Sequence, residues 1–136
     1  MTSQLPVERA GAAANRGAIR MATALFGMGV LHFVAPKPFD SIVPPALPGS
    51  ARTYTYASGV AEIAVAGALA APKTRKVGAL AAVALFVSVF PANVQMAVDR
   101  TRNPNTNKFV KAAVIARLPL QIPMIAAALS VHRNAR

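Results

Sequence analysis

The amino-acid sequence predicts an all-α protein: a four-helix transmembrane bundle running up-down-up-down, with a proline-rich extracytoplasmic cap between its first two helices. Three observations carry that expectation. Hydrophobic residues make up 54% of the 136 residues and charged residues only 14%, against about a quarter charged in a soluble domain. Four apolar spans of roughly 18–22 residues follow one another, each close to the roughly 20 needed to cross the hydrocarbon of a bilayer. The basic residues behind the net charge of +11 gather at the ends of those spans (Arg16, Lys73, Arg75, Lys76, Arg100, Arg102, Lys108, Lys111, Arg133 and Arg136). There they reach lipid headgroups, and they do not form the basic polar face that a nucleic acid needs.

The length fits one domain. The chain has no cysteine, which excludes disulfides and cysteine-held iron–sulfur clusters. Residues 1–16 are small and polar without periodicity and are expected as a flexible tail. The first span is Gly17–Ala35. Its one signal-peptide cleavage candidate, after Ala35, is flanked by bulky Phe33 and by Pro36, so an uncleaved helix is expected. Pro36–Arg52 follows, with Pro36, Pro38, Pro44, Pro45, Pro48 and Gly49, too many missing donors for a continuous helix. Its apolar Phe39, Ile42, Val43 and Leu47 suit a cap on the membrane surface.

The second span, Tyr54–Ala71, holds Glu62 near its middle. Pro72 with Lys73, Arg75 and Lys76 makes a basic turn that sends the third span, Val77–Val98, back antiparallel, interrupted by Pro91. Asp99–Lys108 is hydrophilic and reads as a loop. The fourth span, Lys111–Val131, contains Pro119 and Pro123, and His132–Arg136 is a basic tail. The transmembrane domain is thus 17–131. Lys and Arg are more numerous on the side of the two tails and the second link than on the other, which favours both termini in the cytoplasm.

Alternation of four spans turns sequence position into depth. His32, Asn93, Arg117, Glu62 and Gln121 then fall about 4–15 Å from the outer ends of their helices at 1.5 Å per residue, all in one half of the bilayer. Tyr54, Ser58 and Glu62 share a helix face, as do Arg117 and Gln121. Asn93 and Gln95 cannot both face inward, and Asn93 is the better candidate. An unpaired acid or arginine in mid-membrane costs about 2.5–3.5 kcal/mol on insertion scales. The economical arrangement pairs ionised Glu62 with Arg117 and completes their hydrogen bonds with Asn93 and Gln121. Pro91 and Pro119 leave the carbonyls of Val87 and Ile115 without helical donors, which a polar cavity can satisfy. The candidate ligand-binding cluster is therefore His32, Glu62, Asn93, Arg117 and Gln121, with Tyr54 at its entrance. Buried amides between membrane helices also serve simply to hold them together. His32 and His132 are expected at opposite faces, too far apart to share a haem iron, and no set of metal ligands is apparent.

Leu31-His32-Phe33 with Pro36, the link Ile42 to Gly49, Ser58-Gly59-Val60-Ala61-Glu62, Phe90-Pro91-Ala92-Asn93-Val94-Gln95-Met96 and Arg117-Leu118-Pro119-Leu120-Gln121 together resemble the DoxX-like family of small bacterial inner-membrane proteins. The resemblance implies a four-helix protein of the cell inner membrane. Because the family's namesakes are associated with a thiosulfate:quinone oxidoreductase, it also implies an accessory or subunit of a quinone-linked redox system. On that expectation the cluster binds a quinone or similar amphiphile, with Arg117, Asn93 or Gln121 donating to a carbonyl and His32 exchanging protons with the outer surface. The partners would be membrane lipid, a redox enzyme and a second copy of the chain, the last through Gly59, Ala66 and Gly67. No cofactor is expected to be held covalently or by metal ligands, and whether the chain is itself catalytic stays open. Two other functions compete, a non-enzymatic scaffold for partner proteins and a small-molecule or lipid transporter.

Overall fold

A computed structural model describes residues 5–41, 43 and 46–135. The described residues are all-helical, in five helices without a strand: α1 (Leu5–Val34), α2 (Lys37–Asp40), α3 (Ala51–Ala70), α4 (Arg75–Arg102) and α5 (Lys108–Asn134). α1 reaches back to Leu5, well before the expected start at Gly17, so most of the expected tail is helical. It ends as Pro36 approaches, since the residue before a proline is pushed out of the helical region. Pro36 then serves as the N-cap of the single turn α2. The rest of the link bends at Gly49, whose φ of +88° lies in the left-handed region that glycine tolerates.

Ser50 starts α3 by accepting a hydrogen bond from the Thr53 amide at 3.3 Å. Asn107 does the same for α5, with Oδ1 2.7 Å from the Phe109 nitrogen. Between α4 and α5, Asn103 Oδ1 accepts from the Asn105 amide at 2.9 Å, a local turn that ends one helix and prepares the next. Pro91 does not interrupt α4, and Pro119 and Pro123 do not interrupt α5. Each proline removes one rung of the hydrogen-bond ladder while the helix continues.

α1 packs most extensively along α3, and α4 along α5; smaller contacts join α3 to α4 and α1 to α5, and α2 rests on α3. The core is rich in alanine: Ala18, Ala22, Ala66, Ala79, Ala82 and Ala128 surround Leu25, Val65, Leu69, Phe86 and Val131. Small side chains let the helix backbones approach closely, the usual means of packing helices where lipid removes the hydrophobic drive. Large apolar side chains instead point outward, among them Phe26, Val60, Val77, Val87, Phe109 and Ile122.

One end of the molecule is tied by Arg75. This residue was expected at the lipid headgroups but is buried. Its Nε donates to the Leu69 carbonyl at 2.8 Å, Nη2 to the Ala70 carbonyl at 3.0 Å, and Nη1 to Asn15 Oδ1. The guanidinium thus satisfies the last carbonyls of α3 and reaches α1. His132 of α5 donates to the Lys76 carbonyl at 3.1 Å nearby. At the other end Arg100 of α4 reaches Ser41 at 3.4 Å.

Three helices, α1, α4 and α5, are long and apolar enough to cross a membrane. The expected second span, Tyr54–Ala71, is not among them. α3 has the length, but Thr53, Thr55, Ser58, Gly59, Glu62 and Gly67 dilute its hydropathy.

Candidate functional site

The structure divides the expected polar cluster into separate places. His32 and Glu62 meet where α1 crosses α3. Gly29 and Gly59 make this possible: a Cβ on Gly29 would lie 2.7 Å from Ile63 Cγ1 and 3.0 Å from the Gly59 carbonyl oxygen, and one on Gly59 would lie 2.9 Å from His32 Cβ. Without side chains there, the helices touch backbone to backbone and bring His32 Nδ1 to 3.3 Å from Glu62 Oε2. Nδ1 also lies 2.7 Å from the Met28 carbonyl oxygen. A carbonyl can only accept, so Nδ1 carries a proton and directs it to Met28. Glu62 Oε2 is left buried without a hydrogen-bond partner among the described residues. The contact with His32 is one of charge proximity, and its strength depends on His32 being protonated.

α2 closes this site from one side. Phe39 stacks on the His32 ring, with centroids 3.7 Å apart. Next to it, Asp40 accepts from Thr55 Oγ1 at 2.6 Å and from Arg52 Nε at 2.9 Å. The Thr55 hydroxyl and then the Arg52 guanidinium hold the Asp40 carboxyl below its ordinary value. Tyr54, expected at the entrance to a cluster, instead donates its hydroxyl to the Pro48 carbonyl and ties down the link.

Arg117 is exposed and makes no ion pair with Glu62 among the described residues, which overturns the expected pairing. Four residues on from it, past Pro119, Gln121 is buried. Its Nε2 donates to the Phe86 carbonyl of α4 at 2.7 Å, while Oε1 is buried without a partner among the described residues. Asn93 is buried on α4, and Gln95 is exposed and donates to Asp99 at 2.9 Å.

Gln121 also lines a cleft of about 470 Å³ between α4 and α5. Its walls are Val87 and Phe90 from α4 and Leu118, Pro119, Ile122 and Ile125 from α5, so Gln121 is the one polar side chain among them. An apolar concavity with one placed polar group is the usual form of a small-molecule site.

Sequence reasoning missed Arg75, Asp40, Arg52 and Thr55. Arg75 had a signal, since a basic residue just after a helix end can satisfy its terminal carbonyls. The Asp40 contacts had none, because they cross an irregular link that imposes no periodicity.

No curated protein and no solved structure matches the chain. Nothing links it to the DoxX-like family, so that resemblance is corrected, and the redox partnership it implied loses its support. The motifs behind it were loose stretches of Gly, Pro and amide residues that many membrane helices share. Residues 21–132 match the family model described as Domain of unknown function (DUF8561), and the chain belongs to that family.

Proposed function

We propose that the protein is a multi-pass membrane protein that binds a membrane-dissolved amphiphile in the α4–α5 cleft. The observation that carries this reading is the cleft itself: hydrocarbon walls, one buried amide and a volume suited to a ring-sized group. In this reading α1, α3, α4 and α5 form a four-helix bundle running up-down-up-down in the inner membrane. The link with α2 lies outside and both termini face the cytoplasm. The meeting of Asn15, Arg75 and His132 with the Lys76 carbonyl at one end supports that alternation, and the outward apolar side chains supply a lipid-facing surface. α3 enters despite its polar residues because α1 covers its Glu62 face.

The test is to purify the full chain in mild detergent and identify co-purifying lipids, quinones and other amphiphiles by mass spectrometry. Ile122→Trp adds bulk at the wall of the cleft, whereas Leu129→Trp places the same bulk on α5 away from it. The expected result is an amphiphile retained by the wild type and by Leu129→Trp and lost from Ile122→Trp. Retention of every species by Ile122→Trp would remove the cleft as the binding site.

A further inference from the structure

We propose that the outward face of α1 at Arg16 and Arg20 binds one acidic phospholipid, its phosphate at the two guanidinium groups and its apolar part in the groove beside them. The site is separate from the α4–α5 cleft and rests only on the membrane-spanning part of the reading above.

Helix geometry places the two arginines. Ala18, Ala22 and Leu25 are buried, which fixes the side of α1 that faces the bundle. At 3.6 residues per turn, Arg16 and Arg20 lie on the opposite side, about 40° apart, and both are exposed. Their height follows from their neighbours. Asn15 meets Arg75 of α4, and a Cβ on Gly17 would lie 3.7 Å from Val131 Cγ2 of α5. Arg16 therefore stands level with the ends of the adjoining helices. Arg20 is about 6 Å deeper, and from Met21 to Leu31 α1 carries no charge. Arg20 thus marks the border between hydrocarbon and headgroups.

Charge and shape then select the occupant. Neither arginine forms an ion pair among the described residues. Asp40 is held by Arg52 and Thr55, Asp99 by Gln95, and Glu62 faces His32. Glu8 lies two turns before Arg16 and about 80° round the helix from it. Two uncompensated guanidinium groups one turn apart suit a phosphate, which each can bind through paired hydrogen bonds. Asn15, Arg16, Ile19 and Arg20 also line a shallow groove of about 360 Å³ with almost wholly hydrocarbon walls. A dissolved phosphate gains nothing from such walls, whereas the glycerol and first acyl carbons of a lipid do. A zwitterionic lipid would bring its own cation against the arginines, so a net-negative headgroup fits better.

The test measures equilibrium binding of tail-labelled fluorescent phosphatidylglycerol and phosphatidylcholine to the delipidated full chain in neutral detergent, corrected against protein-free micelles. Phosphatidylglycerol is expected to bind about tenfold more tightly. Arg16→Gln with Arg20→Gln should abolish most of that preference. Lys73→Gln with Lys76→Gln, which removes two exposed charges from the same end, should keep it, as should Ile122→Trp. Excess inorganic phosphate at constant ionic strength should not displace the lipid. Equal binding of the two lipids, or equal loss from both double variants, overturns the site in favour of diffuse attraction. Displacement by phosphate overturns the lipid in favour of a free anion. Loss from Ile122→Trp but not from the arginine variant overturns this site and supports the cleft, whereas a chain soluble without detergent overturns both.

Discussion

Glu62 holds a buried oxygen that no donor meets among the described residues, while Arg117, its expected partner, is exposed. Removing a buried charge that lacks a good partner is neutral or stabilising, whereas an exposed arginine contributes little. Glu62→Gln should therefore hold or raise the melting temperature in detergent, and Arg117→Ala should change stability by less than about 0.5 kcal/mol. A loss of about 2 kcal/mol or more in both variants would restore the ion pair, whereas a loss in Glu62→Gln alone would point to its contact with His32. The spacing of residues along the chain made it legible that Glu62, His32 and Gln121 are buried or nearly so. It did not show which groups meet. Four residues advance a helix by about 40° beyond a full turn, Pro119 intervenes, and a long guanidinium turns outward readily. Arg117 and Gln121 could thus share a face on paper and still separate. Contact between His32 and Glu62 was hidden for another reason: it depends on where two helices cross, and of the two glycines that set the crossing, Gly59 was read as part of a surface for a second copy of the chain and Gly29 was not singled out.

α1 and α3 owe their close approach to Gly29 and Gly59, where an added Cβ would lie within 3.0 Å of a neighbouring atom. Gly59→Ala and Gly29→Ala should each destabilise the protein by about 1–3 kcal/mol. Gly27→Ala and Gly67→Ala meet open space and should instead stabilise their helices by roughly 0.5–1 kcal/mol. Thermal unfolding of the four variants checks this, and equal effects at all four positions would show that the crossing is not tight. The helices themselves were largely legible, because long apolar runs between proline and charged turns leave few alternatives. α2 was not, since one turn in a proline-rich link has no period to read. The continuation of α4 through Pro91 was also hidden: a proline lowers the odds of a helix, but neighbouring helices can satisfy the groups it frees.

The whole molecule contains no cysteine, so single cysteines can report its placement in a bilayer without background. In sealed inner-membrane vesicles, Lys73→Cys in the α3–α4 turn and Asn105→Cys in the α4–α5 turn should react with a membrane-impermeant maleimide from opposite sides. Labelling of both from the same side would rule out the alternating arrangement. α3 gives this arrangement a consequence for biogenesis. It is the long helix that does not qualify as a membrane span by its own hydropathy, and its widest contact is with α1, the helix synthesised before it. A nascent chain therefore has a ready shelter for the Glu62 segment before α4 leaves the ribosome, whereas a product lacking α1 would hand an ill-suited segment to the insertion machinery and to membrane proteases.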